Sequence, residues 1–145
     1  MVFFGEYRAR LDAQGRLVIP ARQRQLLCAS HSSVFIVKGL DACLFLFPAE
    51  VWESQSDRLK SLPFTKGDPR AFTRLFFSGA HQAELDRQGR VLIPAHLLKY
   101  AGIRDRVVIV GVGTRMEVWD EKRWDSYAAQ SLASYTELAE KLMEM

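Results

Sequence analysis

Apolar and polar positions divide the chain into short strands and helices. In residues 7–11, apolar side chains alternate with basic ones, which is typical of a strand with one buried face. Continuous apolar runs at residues 34–37 and 107–110 predict buried strands. Further strands are predicted at residues 43–47 and 116–119. The pattern therefore predicts an α+β protein whose core is built from short strands.

One segment of the chain occurs twice. Residues 11–21 (LDAQGRLVIPA) recur as residues 85–95 (LDRQGRVLIPA). Apart from Ala13 and Arg87, the two copies differ only by exchanges of Leu and Val. Matching residues outside the segment keep nearly the same spacing: Gly5 with Gly79, Gly39 with Gly111, and Trp52 with Trp124. A repeat of this kind predicts two structural units of one design.

Each unit is predicted to contain a strand, a turn, a strand, a short helix and two more strands. Asp12 and Gly15 form the first turn, because Asp accepts hydrogen bonds from nearby backbone amides and Gly adopts a positive φ. Asp86 and Gly89 form the equivalent turn in the second unit. We expect each turn to close an antiparallel hairpin with a bulge.

Helices are predicted after both hairpins and after both units. Pro20 and Pro94 suit the first turn of short helices at residues 20–28 and 94–101, and Gly102 suits the end of the second. Helical spacing predicts further helices, which begin at Pro48, at Asp68-Pro69 and at Asp120. The predicted organisation is a first repeat at 5–50, a helical linker at 51–78, a second repeat at 79–122 and a C-terminal helix at 123–145. Because one unit alone leaves an apolar face open, we expect the two units to share a β-barrel-like core.

The C-terminal helix carries an apolar stripe. Its members recur at intervals typical of one helix face: Trp124, Ala128, Leu132, Tyr135, Leu138 and Leu142. Such a stripe has to be covered, either by the core of this domain or by a neighbouring subunit.

Charge is distributed unevenly along the 145 residues, whose formal net charge is +3. Residues 1–30 and 58–106 are rich in arginine and lysine, whereas residues 117–145 hold more acidic than basic side chains. Concentrated positive charge is typical of a nucleic-acid site, and a solvated face of mixed charge is the alternative.

The sequence also indicates a compartment. The apolar runs are far shorter than the about 20 residues of a membrane helix, and the first residues do not resemble a secretory signal. Cys28 and Cys43 lack the spacing of a redox or metal motif, so we expect two reduced, packed thiols. These features predict a cytoplasmic protein with no membrane partner.

Motifs of catalysis are missing from the sequence. His31, His81 and His96 are not in a metal-binding spacing. The chain has no nucleophile elbow and no complete glycine-rich phosphate loop, and no pair of carboxylates stands out as acid and base. We therefore expect no enzyme activity, no cofactor, no metal and no small-molecule substrate.

The paired Leu-Asp-x-Gln-Gly-Arg-x-x-Ile-Pro segments, with Gly5-Glu6-Tyr7 before the first, resemble the MraZ family of bacterial proteins built from two SpoVT-AbrB-type ββαββ repeats. The family's Asp-x-x-x-Arg signature corresponds to Asp12 with Arg16 and to Asp86 with Arg90. The resemblance implies a nucleoid-associated transcription regulator that binds repeated sites in double-stranded DNA, upstream of a division and cell-wall gene cluster that includes its own promoter. It also implies a ring-shaped homo-oligomer with its basic hairpins side by side. Gln14 stands where many relatives have Lys, which predicts one weaker phosphate contact.

Arginines at and near the turns are the candidate DNA-binding residues: Arg16, Arg90, Arg8, Arg10, Arg22, Arg24 and Arg87. Arg16 and Arg90 are the main candidates, because the turn fixes their backbone and a planar guanidinium can form paired hydrogen bonds with phosphate or guanine. An ion pair with Asp12 or Asp86 that only holds the turn is the alternative. The two interpretations are compatible if the carboxylate orients the guanidinium. A third hypothesis is a protein-interaction module of the antitoxin type, without an operator of its own, whose basic turns bind an acidic partner.

Overall fold

The computed structural model describes residues 2–29 and 32–144. The first repeat contains β1 (Glu6–Arg10), β2 (Arg16–Val18), α1 (Ala21–Leu27), β3 (Ser33–Lys38) and β4 (Leu44–Pro48). Two helices follow, α2 (Ala49–Lys60) and α3 (Gly67–Gly79). The second repeat contains β5 (His81–Glu84), β6 (Arg90–Leu92), α4 (Ala95–Ala101), β7 (Arg106–Gly111) and β8 (Met116–Asp120), and α5 (Glu121–Ala133) and α6 (Tyr135–Met143) come last. The predicted α+β class with two ββαββ repeats is confirmed.

The strands form an antiparallel sheet and a separate ribbon. The six-stranded sheet has the order β1-β7-β8-β4-β3-β5, and the ribbon pairs β2 with β6. Exchanging the two repeats only reverses this order, so the sheet has pseudo-twofold symmetry. The first strand of each repeat pairs with the third strand of the other repeat, β1 with β7 and β5 with β3.

The predicted hairpins are wrong as strand pairs. The turn itself is closed, since the N–H of Asp12 donates to the carbonyl of Arg16 at 3.0 Å. Beyond this bond the strands separate, because β1 joins the large sheet and β2 pairs with β6 of the other repeat. This pairing places Leu17 and Val91 opposite each other, and both are completely buried in the shared core. A local hairpin would not bring these two side chains together.

One hydrophobic core serves both repeats, as the sequence predicted. The largest cluster of buried side chains takes members from each repeat, among them Ile19, Ile36, Ile93 and Ile109. Burial of such side chains contributes about 1.5–3 kcal/mol each. The two repeats therefore depend on each other for their stability.

Helix ends agree with the sequence in most places. Gly102 ends α4 with a left-handed conformation, and the side chain of Asp120 accepts a hydrogen bond from the N–H of Arg123 at the start of α5. The sequence predicts that Asp68 caps α3, but the helix begins at Gly67, two residues before Pro69, and Lys66 occupies the cap position. The C-terminal periodicity predicts one helix, whereas the structure has α5 and α6, separated at Ser134.

The C-terminal stripe is only partly covered by this chain. Trp124 and Tyr127 contact the ring of Trp119, with centroid distances of 5.4 and 4.9 Å. Farther along, Leu132 and Leu142 are 71% and 65% exposed. The core of the domain therefore covers the beginning of the stripe and leaves its end open.

Other predicted features can be located in the described part of the chain. Cys28 and Cys43 are free, and burial raises the pKa of the Cys43 thiol to about 12, which keeps it protonated. His31 lies outside the described residues, and Nε2 of His96 lies 3.1 Å from the carbonyl oxygen of Gly79. No described helix combines the length and apolar character needed to cross a bilayer.

Candidate nucleic-acid interface

The outer side of the ribbon combines two arginines with two aliphatic side chains. Arg16 lies opposite Leu92, and Val18 lies opposite Arg90. Val18 and Leu92 are each 51% exposed. Successive side chains of a strand point to opposite faces, so the neighbouring Leu17 and Val91 face the core. We call this surface of Arg16, Val18, Arg90 and Leu92 the ribbon face.

The first turn fixes the position of Arg16. One carboxylate oxygen of Asp12, Oδ1, accepts the backbone N–H groups of Gln14 and Arg16, both at 2.9 Å. The other oxygen, Oδ2, accepts Nε–H of Arg16 at 2.7 Å. The same carboxylate therefore shapes the turn and orients the arginine that follows it.

The second turn repeats this geometry. Oδ1 of Asp86 accepts the N–H groups of Gln88 and Arg90 at 2.9 Å, and Oδ2 accepts Nε–H of Arg90 at 2.8 Å. The hydrogen bond from the arginine backbone is the main reason that the pKa values of Asp12 and Asp86 lie below the usual value. Both aspartates are therefore charged at neutral pH.

Both arginine side chains remain partly exposed although each is bound to its turn aspartate. The side chains of Arg16 and Arg90 retain 32% and 28% of their exposure, and the bond to the turn aspartate uses Nε. Nη1 of Arg90 also lies 3.9 Å from Oδ2 of Asp12, which links the two repeats. The ion pairs that hold the turns thus present two oriented guanidinium groups on the ribbon face.

Arg24 joins α1 to the turn of the other repeat. Its Nη1 donates to the carbonyl of Gln88 at 3.2 Å, and its guanidinium lies across Gly89. Gly89 has a φ of +76°, and any Cβ there would overlap Arg24. The sequence does not predict this contact, since it indicates Arg24 only as a basic residue on the first helix.

Two further predicted arginines are free of acidic partners. Arg87 is exposed on the second turn, and the guanidinium of Arg22 lies 5.5 Å from the ring centre of Phe4. Within residues 2–29 and 32–144, neither of them nor Arg24 forms an ion pair with a carboxylate. Their charges are available to an anionic ligand.

Arg8 and Arg10, unlike Arg22, Arg24 and Arg87, lie close to carboxylates. Arg8 is surrounded by the carboxylates of Asp125, Glu6 and Glu121, at 2.8, 3.0 and 3.4 Å. The hydrogen bond with Asp125 is the main reason that the pKa of Arg8 is raised. Arg10 lies 3.7 Å from Asp105. Arg8 therefore holds β1 against α5 rather than offering a free charge.

Sequence reasoning missed a second group of basic side chains. Arg104, Arg106, Lys122 and Arg123 line an open cleft, in which acidic side chains are also present. The cleft adjoins the base of the first turn, because the N–H of Leu11 donates to the carbonyl of Asp105 at 2.9 Å. The excess of basic residues at 58–106 indicated Arg104 and Arg106, whereas Lys122 and Arg123 lie in a stretch that is acidic overall.

Comparisons with known proteins agree along the whole chain. The family model described as "MraZ protein, putative antitoxin-like" matches residues 2–75 and again residues 76–145. Proteins named "Transcriptional regulator MraZ" from Heliobacterium modesticaldum and Carboxydothermus hydrogenoformans are 48% and 49% identical over 143 residues, which cover 99% of this chain and 98% of each relative. A protein of the same name from Moorella thermoacetica is 48% identical with the same coverage.

Proposed function

The chain belongs to the MraZ family, and on this premise we propose that it is a sequence-specific DNA-binding regulator of transcription whose ribbon face contacts the duplex. The relatives bear the name of a transcriptional regulator rather than of an enzyme. The observation that carries the proposal is the pair of arginines, Arg16 and Arg90, whose side chains remain partly exposed while aspartates hold them in place. Oriented guanidinium groups suit both phosphate oxygens and guanine edges.

The proposed targets are repeated sites upstream of a division and cell-wall gene cluster, including the promoter of this protein's own gene. One subunit offers few guanidinium groups, so a single site binds weakly and with strong dependence on salt. Several linked subunits on repeated sites raise the affinity through a high effective concentration. Since the proposed partner is chromosomal DNA, we also propose cytoplasmic, nucleoid-associated localisation.

We propose assembly into a ring because two apolar surfaces in the described part of the chain are exposed. One is the exposed end of the C-terminal stripe, with Leu132 and Leu142. The other surrounds a small apolar cavity lined by Leu40, Phe72 and Leu75, which are 62%, 43% and 62% exposed. Identical subunits that meet head to tail through two different surfaces form a closed ring when the rotation from one subunit to the next divides a full turn evenly. A second copy of the chain is the proposed cover.

The alternative function is a protein-interaction module of the antitoxin type. The description of the family includes the words "antitoxin-like", and the accessible arginines of the ribbon face also suit an acidic protein surface. Such a module would not bind its own operator. Direct measurement of duplex binding therefore separates the two functions.

Fluorescence anisotropy with a labelled duplex that carries short direct repeats tests the proposal. The affinity of the wild-type protein should fall steeply as the salt concentration rises. Each lost phosphate contact makes the salt slope smaller by about 0.9. The double variant Arg16→Ala, Arg90→Ala should therefore bind about 30-fold more weakly per bound subunit at 0.15 M salt. Arg58→Ala, Lys60→Ala is the matched control, because it removes the same charge from exposed positions on α2. Gel shifts with DNA from upstream of the gene then test the proposed operator.

Two results would contradict the proposal. A folded double variant with full affinity would remove the ribbon face from DNA binding. A wild-type protein that ignores every duplex but binds an acidic protein would favour the antitoxin-type module. Circular dichroism of each variant verifies that the fold is retained.

A further inference from the structure

The two turns carry different side chains although their backbones match. The residue after the turn aspartate is Ala13 in the first repeat and Arg87 in the second, and both positions are exposed. The helix residue that reaches the opposite turn also differs: Arg24 of α1 lies on Gly89, whereas Leu98 of α4 lies near Gly15. The second turn therefore gathers positive charge that the first turn lacks.

Arg24 is oriented by the fold and retains its charge. The end of β2 is tied to the second turn by the N–H of Ile19, which donates to the carbonyl of Gly89 at 2.9 Å. This bond brings α1 to the turn, where Arg24 donates to the carbonyl of Gln88 at 3.2 Å. That hydrogen bond uses one of the five N–H donors of a guanidinium. The remaining donors are available to a ligand.

Backbone amides of the second turn are already occupied. Oδ1 of Asp86 accepts the N–H groups of Gln88 and Arg90, and the carbonyl oxygen of Asp86 accepts the N–H of Gly89. A ring of free amides, which binds anions in many loops, is therefore absent from residues 88–90. An anion at this turn has to be bound by side chains.

We propose that Arg24, Arg87 and Arg90 form a phosphate-binding cluster at the second turn, so that the two ends of the ribbon contact DNA unequally. This inference rests on the proposed DNA-binding function. Its ligand is a phosphodiester of the DNA backbone, and such contacts add affinity and position the protein without reading bases. The first turn has Arg16 at the position equivalent to Arg90, but Ala13 and Leu98 in place of Arg87 and Arg24.

Basic side chains near the first turn lie outside the turn itself, and those of the cleft, Arg104, Lys122 and Arg123, share it with acidic side chains. Arg10 and Arg106 lie opposite each other on β1 and β7, and Arg10 is 3.7 Å from the carboxylate of Asp105. These residues belong to the large sheet, beyond Leu11, rather than to the turn itself. They provide a control position for removal of charge.

The double exchange Ala13→Arg, Arg87→Ala tests the cluster, because it moves one guanidinium between the turns and leaves the net charge unchanged. In the anisotropy assay, we expect about fivefold weaker binding at 0.15 M salt and a salt slope that is smaller by about 0.9 for each subunit that contacts DNA. Arg24→Leu, which copies the residue at the equivalent position of α4, should show the same loss. Arg106→Ala removes one charge at the base of the first turn and should change the slope less than Arg24→Leu does.

The outcomes separate this inference from the proposed function. If Arg16→Ala, Arg90→Ala loses binding while both the exchange and Arg24→Leu bind like the wild type, the unequal cluster is wrong and DNA binding stands. If the double alanine variant binds fully, the ribbon face does not contact DNA. If the wild-type protein binds no duplex, the proposed function itself fails. Thermal melting shows whether each variant is folded. If Arg24→Leu does not fold, the test rests on the double exchange Ala13→Arg, Arg87→Ala, because both of its positions are exposed.

Discussion

Gly89 and Gly15 occupy equivalent turns but meet different neighbours. Both have positive φ values, +76° and +84°, which the turn pattern predicted for glycine. A Cβ at Gly15 would lie 3.5 Å from Leu98, an ordinary contact, whereas a Cβ at Gly89 would overlap the guanidinium of Arg24. The sequence indicated the conformation of each glycine, but the neighbour of Gly89 comes from the other repeat.

Gly89→Ala should therefore destabilise the protein more than Gly15→Ala does. Each substitution strains a left-handed residue, which costs about 1–2 kcal/mol. Gly89→Ala also displaces Arg24 from the carbonyl of Gln88, which adds about 1 kcal/mol for the lost hydrogen bond. Chemical denaturation at one fixed protein concentration measures the two free energies of unfolding.

An Arg24→Leu background provides the control for this comparison. With leucine at position 24, as at the equivalent Leu98, the two alanine substitutions should differ less. Equal effects of Gly89→Ala and Gly15→Ala in the wild-type background would show that Arg24 is not held over Gly89.

Among the helices, α5 and α6 show how far an amphipathic pattern can be interpreted. The spacing of apolar residues indicated a face that has to be covered, and the rings of Trp124 and Tyr127 pack on Trp119 accordingly. The same pattern continues through Leu138 and Leu142, which are exposed. Periodicity specifies which face is apolar, but it does not specify what covers that face.

Leu138→Glu, Leu142→Glu should lower the mass of the assembly if α6 lies between subunits. Burial of two carboxylates in an apolar contact is unfavourable, whereas these exposed positions add little to the stability of one chain. Light scattering after size-exclusion chromatography measures the mass. Thr136→Glu adds a charge on the opposite side of α6 and should leave the assembly intact. An unchanged mass for the leucine variant would exclude α6 from the interface.

For the molecule as a whole, pairing between repeats is the main structural result. β1 pairs with β7, β5 pairs with β3, and the ribbon takes one strand from each repeat. Each repeat therefore lacks pairing partners when the other is removed. The predicted boundaries at 5–50, 51–78, 79–122 and 123–145 stay predictions, and in this fold they would mark sequence units that share one core.

Residues 1–62 alone should not fold as a monomer. Without the second repeat, β1 and β2 lose their partners and the shared core is open, so the remaining contacts do not offset the conformational entropy of folding. Because the repeats are similar, two copies of the fragment have a route to structure by pairing with each other. Circular dichroism and size-exclusion chromatography over a range of concentrations test this, and addition of residues 63–145 should restore native secondary structure. Cooperative unfolding of a monomeric fragment would contradict the prediction.

Features that depend on contacts between neighbouring residues could be predicted from the sequence. The turn aspartates with their arginines four positions later, the positive φ of the turn glycines, the end of α4 at Gly102 and the alternation of the strands follow from contacts within a few residues. The repeat also indicated the pseudo-symmetry and the family.

Which strands pair and which charges remain free depends on contacts between distant parts of the chain. A local hairpin and the observed pairing between repeats satisfy the same alternating pattern, and burial of Leu17 against Val91 in a common core favours the second. Arg8 meets Asp125 and Arg24 meets the second turn because the folded chain brings together residues far apart in sequence. Such contacts depend on the packing of the whole molecule, so short-range patterns do not contain them.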